Sequence, residues 1–177
     1  MANLKLKNPS GGSLNLVSAD SASDLTVTFP AVTGTAMVSG NMPAFSVWKS
    51  TNQTPSSGVF TKVTFDTELF DTNSNFASST FTPTVAGYYQ INSTVDCGST
   101  SITRALIAIY KNGSAYQYSG IYLAATSSEF GPQIASIVYC NGTTDYIDIY
   151  ARIDGSTVVI YGGQVNTWFN ASLVRAA

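Results

Sequence analysis

No histidine occurs among the 177 residues. That absence removes Ser-His-Asp and Cys-His catalysis together with every His-ligated metal site. Charge is scarce as well: Asp, Glu, Lys and Arg make up 10% of the chain, against about 25% in an average soluble domain. The eight basic residues are scattered and the net charge is -2, so no patch exists to displace counterions from phosphates, and no nucleic-acid partner is expected. Long apolar runs are missing. The longest, Ala105-Leu-Ile-Ala-Ile-Tyr110, falls far short of the ~20 residues that span a bilayer. The amino end, Met1-Ala-Asn-Leu-Lys-Leu-Lys7, alternates and has no apolar h-region, so neither a secretory leader nor a membrane partner is expected, and synthesis in a cytosol is. Only two cysteines occur, Cys97 and Cys140. They lack a CxxC spacing and a histidine partner, which excludes thiol catalysis and leaves two states, buried free thiols or a disulfide. Leucine is low at nine residues, and no window shows a helical period.

What remains is β composition. Val, Ile, Tyr, Phe and Thr are plentiful, and Ser, Thr and Asn together fill 56 of 177 positions. From the start, Leu4, Leu6, Leu14, Leu16, Leu25, Val27 and Phe29 fall at spacings of two within three or four short strands. Turn clusters at 8–12 and 18–23 separate them. Strands so short are stable only when they pair with other copies or lie on a larger surface. A Gly/Ser/Thr-rich boundary at 30–43 divides the chain into a β-rich foot, 1–43, and a head, 44–177.

The head reads as an antiparallel sandwich of ten strands: 44–49, 59–65, 79–81, 87–96, 102–111, 115–123, 132–139, 145–153, 157–161 and 166–174. Asn112-Gly113 and Asn141-Gly142 are dipeptides suited to tight turns. Along 145–153, Ile147, Ile149, Ala151 and Ile153 take one face while Tyr146, Asp148, Tyr150 and Arg152 take the other, as in a sheet with one wet side. The strand 102–110 differs, being apolar on both faces. It lies either at a subunit interface or beneath a long loop.

Five stretches follow one another in order: Ala44-Phe45-Ser46, the series Phe81…Gly87…Tyr89…Ile91, Lys111-Asn112-Gly113, Asn141-Gly142 before 145–150, and Thr167-Trp-Phe-Asn-Ala-Ser-Leu173. Together they resemble the complement globular-head branch of tumour-necrosis-factor-like jelly rolls. Ala171 stands where that branch usually has Gly. The resemblance covers about three quarters of the chain and implies a TNF-like jelly roll assembled as a homotrimer. Its interface is then expected at Ile107, Ile109, Tyr110 and Trp168. Leu4–Pro9, Gly11-Gly12, Ala19–Asp24 and Leu25-Thr-Val-Thr-Phe-Pro30…Thr33-Gly-Thr35 are similar to segments of bacteriophage fibre and virion-surface proteins, where they form a trimeric β stem. Together the two resemblances imply a protein of the virion surface. The foot, through Leu4, Leu6, Leu14, Leu16, Leu25, Val27 and Phe29, would attach to the major capsid protein or another virion protein.

Candidate chemistry is sparse. Asp66 and Glu68, with Asp71 nearby, share a strand face about 6.6–7 Å apart if extended, which mimics a glycosidase pair. A solvated edge whose charges discourage sheet-to-sheet pairing explains them better. Asp145, Asp148 and Asp154 offer oxygens for calcium, which some related jelly rolls bind, but they lack a compact acidic loop. No metal, cofactor or enzymatic activity is therefore expected. Five Asn-x-Ser/Thr sequons carry little weight in so Asn- and Ser-rich a chain. Tyr116, Tyr118 and Tyr122 alternate on one face, as either a recognition surface or an inner sheet face. Two functions stay open. One is a trimeric capsid decoration or cement protein, favoured because 43 residues leave little room for an adaptor and shaft. The other is the receptor-binding tip of a short tail or head fibre, touching a host glycan or protein through loops such as Ser56-Ser57 or Ser127-Ser-Glu129.

Overall fold

The computed structural model describes residues 3–7, 9–11, 13–17 and 42–177, with backbone only at 3–6, 13–17, 126 and 127. The chain divides into two compact units, Met1–Gly34 and Thr35–Ala177. In the first, β1 (Asn3–Lys7) and β2 (Ser13–Val17) form an antiparallel hairpin whose register sets Leu4 opposite Leu16 and Leu6 opposite Leu14. Leu25, Val27 and Phe29 lie outside the described residues.

Twelve strands build the larger unit: β3 (Ala44–Trp48), β4 (Thr61–Lys62), β5 (Thr67–Asp71), β6 (Phe76–Ala77), β7 (Thr80–Phe81), β8 (Gly87–Thr94), β9 (Cys97–Lys111), β10 (Ser114–Phe130), β11 (Gln133–Cys140), β12 (Ile147–Asp154), β13 (Val159–Ile160) and β14 (Trp168–Ala176). One sheet runs β11-β8-β14-β3-β5. The other runs β10-β9-β12-β7-β6, with β4 beside β12 and β13 beside β9. Every pairing is antiparallel and most neighbours are distant in sequence, the wiring of a jelly roll. Among the described residues no helix is long and apolar enough to cross a membrane.

Period-two alternation explains the closure. Ile147, Ile149, Ala151 and Ile153 are fully buried on the inner side of β12, as their spacing predicts. From the facing sheet Phe45, Tyr89 and Phe169 turn inward. Phe45 centres an aromatic cluster, with ring centroids 5.0 Å from Phe76, 4.6 Å from Phe81 and 4.8 Å from Phe169. The β9–β10 turn has Asn112 at φ 52° and Gly113 at φ 76°, the two positive dihedrals that an Asn-Gly hairpin turn requires.

β9 corrects an expectation. Ile107 and Ile109 are fully buried between the sheets and have no surface to offer a partner chain. The opposite face is closed from within its own sheet: Ala108 sits between its register partners Tyr118 and Tyr150, and Gly120 opposite Leu106 leaves that side chain room. Tyr110 is half-buried on this outer side, stacked on Tyr150 at 3.9 Å.

Register also defines two ends. The starts of β3 and β8 and the ends of β9, β11 and β14 share one end, where the Leu173 N–H donates to the Pro43 carbonyl. The opposite, distal end carries Trp48, Thr94, Gln133 and Trp168, together with the 155–158 turn and the 49–60 loop.

Candidate functional site

The outer face of the five-stranded sheet is built by the residues that alternate with the core. Across β3, β14, β8 and β11 the register lays down four rows. From the distal end these are Trp48–Trp168–Thr94–Gln133, Ser46–Asn170–Asn92–Ala135, Ala44–Ser172–Gln90–Ile137, and Arg175–Tyr88–Tyr139. The first three contain no charged side chain. Amides bind one another across the middle: Asn92 Nδ2 donates to Asn170 Oδ1 at 3.0 Å, and Gln90 Nε2 to Asn92 Oδ1 at 3.0 Å. Near the base the Tyr88 and Tyr139 rings meet at 5.4 Å. Ile137 is 52% exposed, Tyr88 43% and Tyr139 41%. At the distal row Trp48 Nε1 and Thr94 Oγ1 are buried with no hydrogen-bond partner among the described residues.

Of the residues expected at an interface, Trp168 lies in this face, whereas Ile107 and Ile109 lie in the core and Tyr110 on the other sheet. Tyr88, Ile137, Tyr139 and Trp48 escape a motif search. Their signal is an aromatic or aliphatic side chain on the strand face whose alternate residues are already buried.

Tyr116, Tyr118 and Tyr122 are 51%, 63% and 66% exposed on the edge strand β10, so the inner-face reading of them fails. Tyr122 packs under the Arg104 guanidinium at 4.7 Å. Arg104 and Arg152 share Asp154, at 3.3 and 2.7 Å.

The acidic candidates are committed to the chain's own donors. Asp66 precedes the edge strand β5 and accepts from the Ser50 N–H at 2.7 Å. Burial alone would raise its carboxyl, but the Ser50 and Thr67 hydrogen bonds and the Lys49 ammonium outweigh burial and hold it below the ordinary value. Glu68 is exposed on that edge, and Asp71 accepts from the Phe76 N–H at 2.7 Å. Asp148 pairs with Lys62 at 2.8 Å. Lys49 is buried, with Nζ donating to Thr64 Oγ1 at 2.7 Å, and burial lowers its pKa against the pull of Asp66. No group of three metal-ligating side chains occurs among the described residues. Cys97 and Cys140 are free and buried at opposite ends of the sandwich. Burial pushes their thiols up to about 12 and about 11, away from the reactive thiolate.

Asp145 shows most plainly what such carboxylates do. It accepts from Asn112 Nδ2 at 2.7 Å, Lys111 Nζ at 2.9 Å and the Asn141 N–H at 3.0 Å, tying the β9–β10 turn to the β11–β12 loop. The Asn112 and Lys111 hydrogen bonds hold its carboxyl below the ordinary value. The carboxylate therefore contributes stability that is fully present above the unfolded value of about 4 and is lost as pH falls through the lower native value. Asp145→Asn is expected to cost about 2 kcal/mol at pH 7. Urea unfolding across pH 2–7 should show the variant losing less stability on acidification than the parent. Parallel pH profiles would refute the assignment.

No protein-family model matches the chain, and no curated protein sequence does. Solved structures share its fold. The globular domain of zebrafish complement 1qA matches at a TM-score of 0.58 with 17% identity, over 76% of this chain and 99% of that one. Murine APRIL at pH 5.0 gives 0.59 with 8% identity, over 76% and 100%. Eiger TNF from S. frugiperda gives 0.60 with 8% identity, over 77% and 94%. The head is thus a C1q/TNF-like jelly roll.

Proposed function

We propose, from this C1q/TNF-like jelly-roll fold, that the chain forms a homotrimer and serves as a non-enzymatic structural protein on a bacteriophage virion, decorating and cementing the capsid. The observation that carries the trimer is the outer face of the five-stranded sheet. Exposed aromatic and aliphatic side chains flank an uncharged amide belt, and such a surface is covered more stably than it is hydrated. Its occupant is a second copy of the same chain. Around a three-fold axis the residues nearest the axis meet their own copies, so charge there would repel, and three of the four rows carry none.

The attachment role falls to residues 1–43, whose paired leucines in β1 and β2 suit docking onto the major capsid protein or another virion protein. The carboxylates Asp66, Asp71, Asp145, Asp148 and Asp154 are spent on internal donors, which supports a structural rather than a catalytic role. Sedimentation should give three times the 18.7 kDa chain mass, and quantitative mass spectrometry of purified virions should give hundreds of copies, in proportion to the capsid protein. A monomer would defeat the trimer. A few copies per particle would defeat the capsid placement.

The second reading, a receptor-binding tip, is favoured by one feature. Ser128 and Glu129 line a depression of about 750 Å³ at the distal end. Blocking of host adsorption by the isolated protein would support it.

A further inference from the structure

The distal depression is assembled from the start of β9, the end of β10, the β12–β13 turn and the start of the segment after β13. Ser99, Thr100, Ser128 and Thr157 supply hydroxyls, Glu129 a carboxylate and Tyr161 a ring. The wall is set before any ligand arrives. Ser99 Oγ donates to the Ser156 carbonyl at 2.5 Å, and Thr100 Oγ1 donates to the same carbonyl at 3.0 Å. The Tyr161 ring lies against Gly98, where a Cβ would collide with it, and its hydroxyl donates to Glu129.

A second observation is independent of shape. Thr157 holds φ at 53°, the left-handed region that a β-branched residue enters only at a cost. Glycine would occupy that turn without strain. Strain of this kind gathers at binding sites, where the side chain rather than the turn is what the position requires.

Chemistry narrows the ligand. Among the described residues no Lys or Arg lines the depression. Asp96 lies close enough to Glu129 for the two carboxylates to repel, and burial together with Glu129 raises the Asp96 pKa. Anions are therefore disfavoured. The Thr100 hydroxyl, its proton spent on Ser156, remains an acceptor; with the Ser128 and Thr157 hydroxyls, one carboxylate acceptor and one aromatic ring it matches a molecule rich in hydroxyls with apolar C–H patches.

We propose that this depression binds a neutral saccharide, with Glu129 accepting from sugar hydroxyls, Thr100, Ser128 and Thr157 completing the hydrogen bonds, and the Tyr161 ring packing against the sugar. The proposal rests on the receptor-tip reading and names the ligand class of that end. The full chain, labelled with nitrogen-15, is titrated with methyl glycosides of glucose, galactose and N-acetylglucosamine, and with N-acetylneuraminic acid as the anionic control. At least one neutral glycoside should shift the Thr100, Glu129 and Thr157 amides saturably, while the anionic sugar leaves them in place. Glu129→Gln should weaken that binding about tenfold, the loss of one charge-assisted hydrogen bond.

Thr157→Gly guards against a folding artefact. It should unfold no earlier than the parent yet bind the glycoside several-fold more weakly, which a purely structural threonine would not do. No saturable shift at tens of millimolar glycoside, shifts mapping elsewhere, or full binding by Glu129→Gln overturns the saccharide site. Adsorption separates the two ideas. If the parent and Glu129→Gln block host adsorption equally, the tip reading survives and the saccharide site falls. If the parent neither blocks nor binds, both fall.

Discussion

Phe45→Ala should cost about 4 kcal/mol in unfolding free energy, the middle of the range for truncating a buried aromatic. The ring is 1% exposed and touches three others, stacked on Phe76, tilted on Phe81 and edge-on to Phe169. Its removal takes away the burial of the ring and also several aromatic contacts of about 0.5–1.5 kcal/mol each. The surroundings have little freedom to collapse, because Phe81 and Phe169 are anchored in facing sheets. Val165→Ala, at a side chain 86% exposed, should change stability by less than about 0.5 kcal/mol. Urea unfolding at one fixed protein concentration checks both, since an oligomer's stability depends on concentration. A Phe45→Ala loss near that of Val165→Ala would mean that the two sheets are not held together through this cluster.

Ile137→Asp should convert the proposed trimer to monomer while leaving the sandwich folded. Ile137 points away from the core on β11, in the row with Gln90 and Ser172. The substitution removes apolar area from the proposed contact and places an unpaired carboxylate in each of three copies, a cost of several kcal/mol per site if desolvated. Ile137 is 52% exposed and lies outside the core cluster. Sedimentation should therefore fall to the monomer mass while the far-ultraviolet β signal persists. Ser56→Asp, on an exposed distal loop, should sediment as the parent does. A variant that stays trimeric would move the interface off this sheet.

Sequence and structure part company at identifiable places. The alternation along β12 was legible because its inner side is wholly apolar while Asp148, Tyr150, Arg152 and Asp154 take the other, so polarity separates the faces even though Asp148 is itself buried. β9 defeated the same logic. Leu106 and Ala108 are buried by their flanking neighbours, so an apolar second face marked tight packing within one sheet rather than contact between chains. β5 was foreshadowed only by the solvated-edge reading of Asp66 and Glu68 and was absent from the ten strands, because Thr67-Glu-Leu-Phe-Asp71 exposes its apolar residues and is strand only through pairing with β3, some twenty residues upstream. The second half of β10 is small and polar; β9 extends it through register, across two irregularities. The Asn112-Gly113 turn needed no tertiary help and was legible outright. The aromatic and amide face was only half legible: Trp168 could be named, but neither Ile137 nor the Tyr88–Tyr139 pair could be placed on it without knowing which strands are neighbours.

The chain enters the sandwich at Pro43, and the distal depression lies at the far end of the same strands. A pull between Pro43 and the distal rim therefore acts along the strand axes. In that direction the cross-strand hydrogen bonds joining β3 to β14 and β5 are loaded side by side, all at once, instead of being peeled apart in turn. The head is strongest along that line. It is weakest to a pull between its own two termini, where β3 and β14 separate one bond at a time.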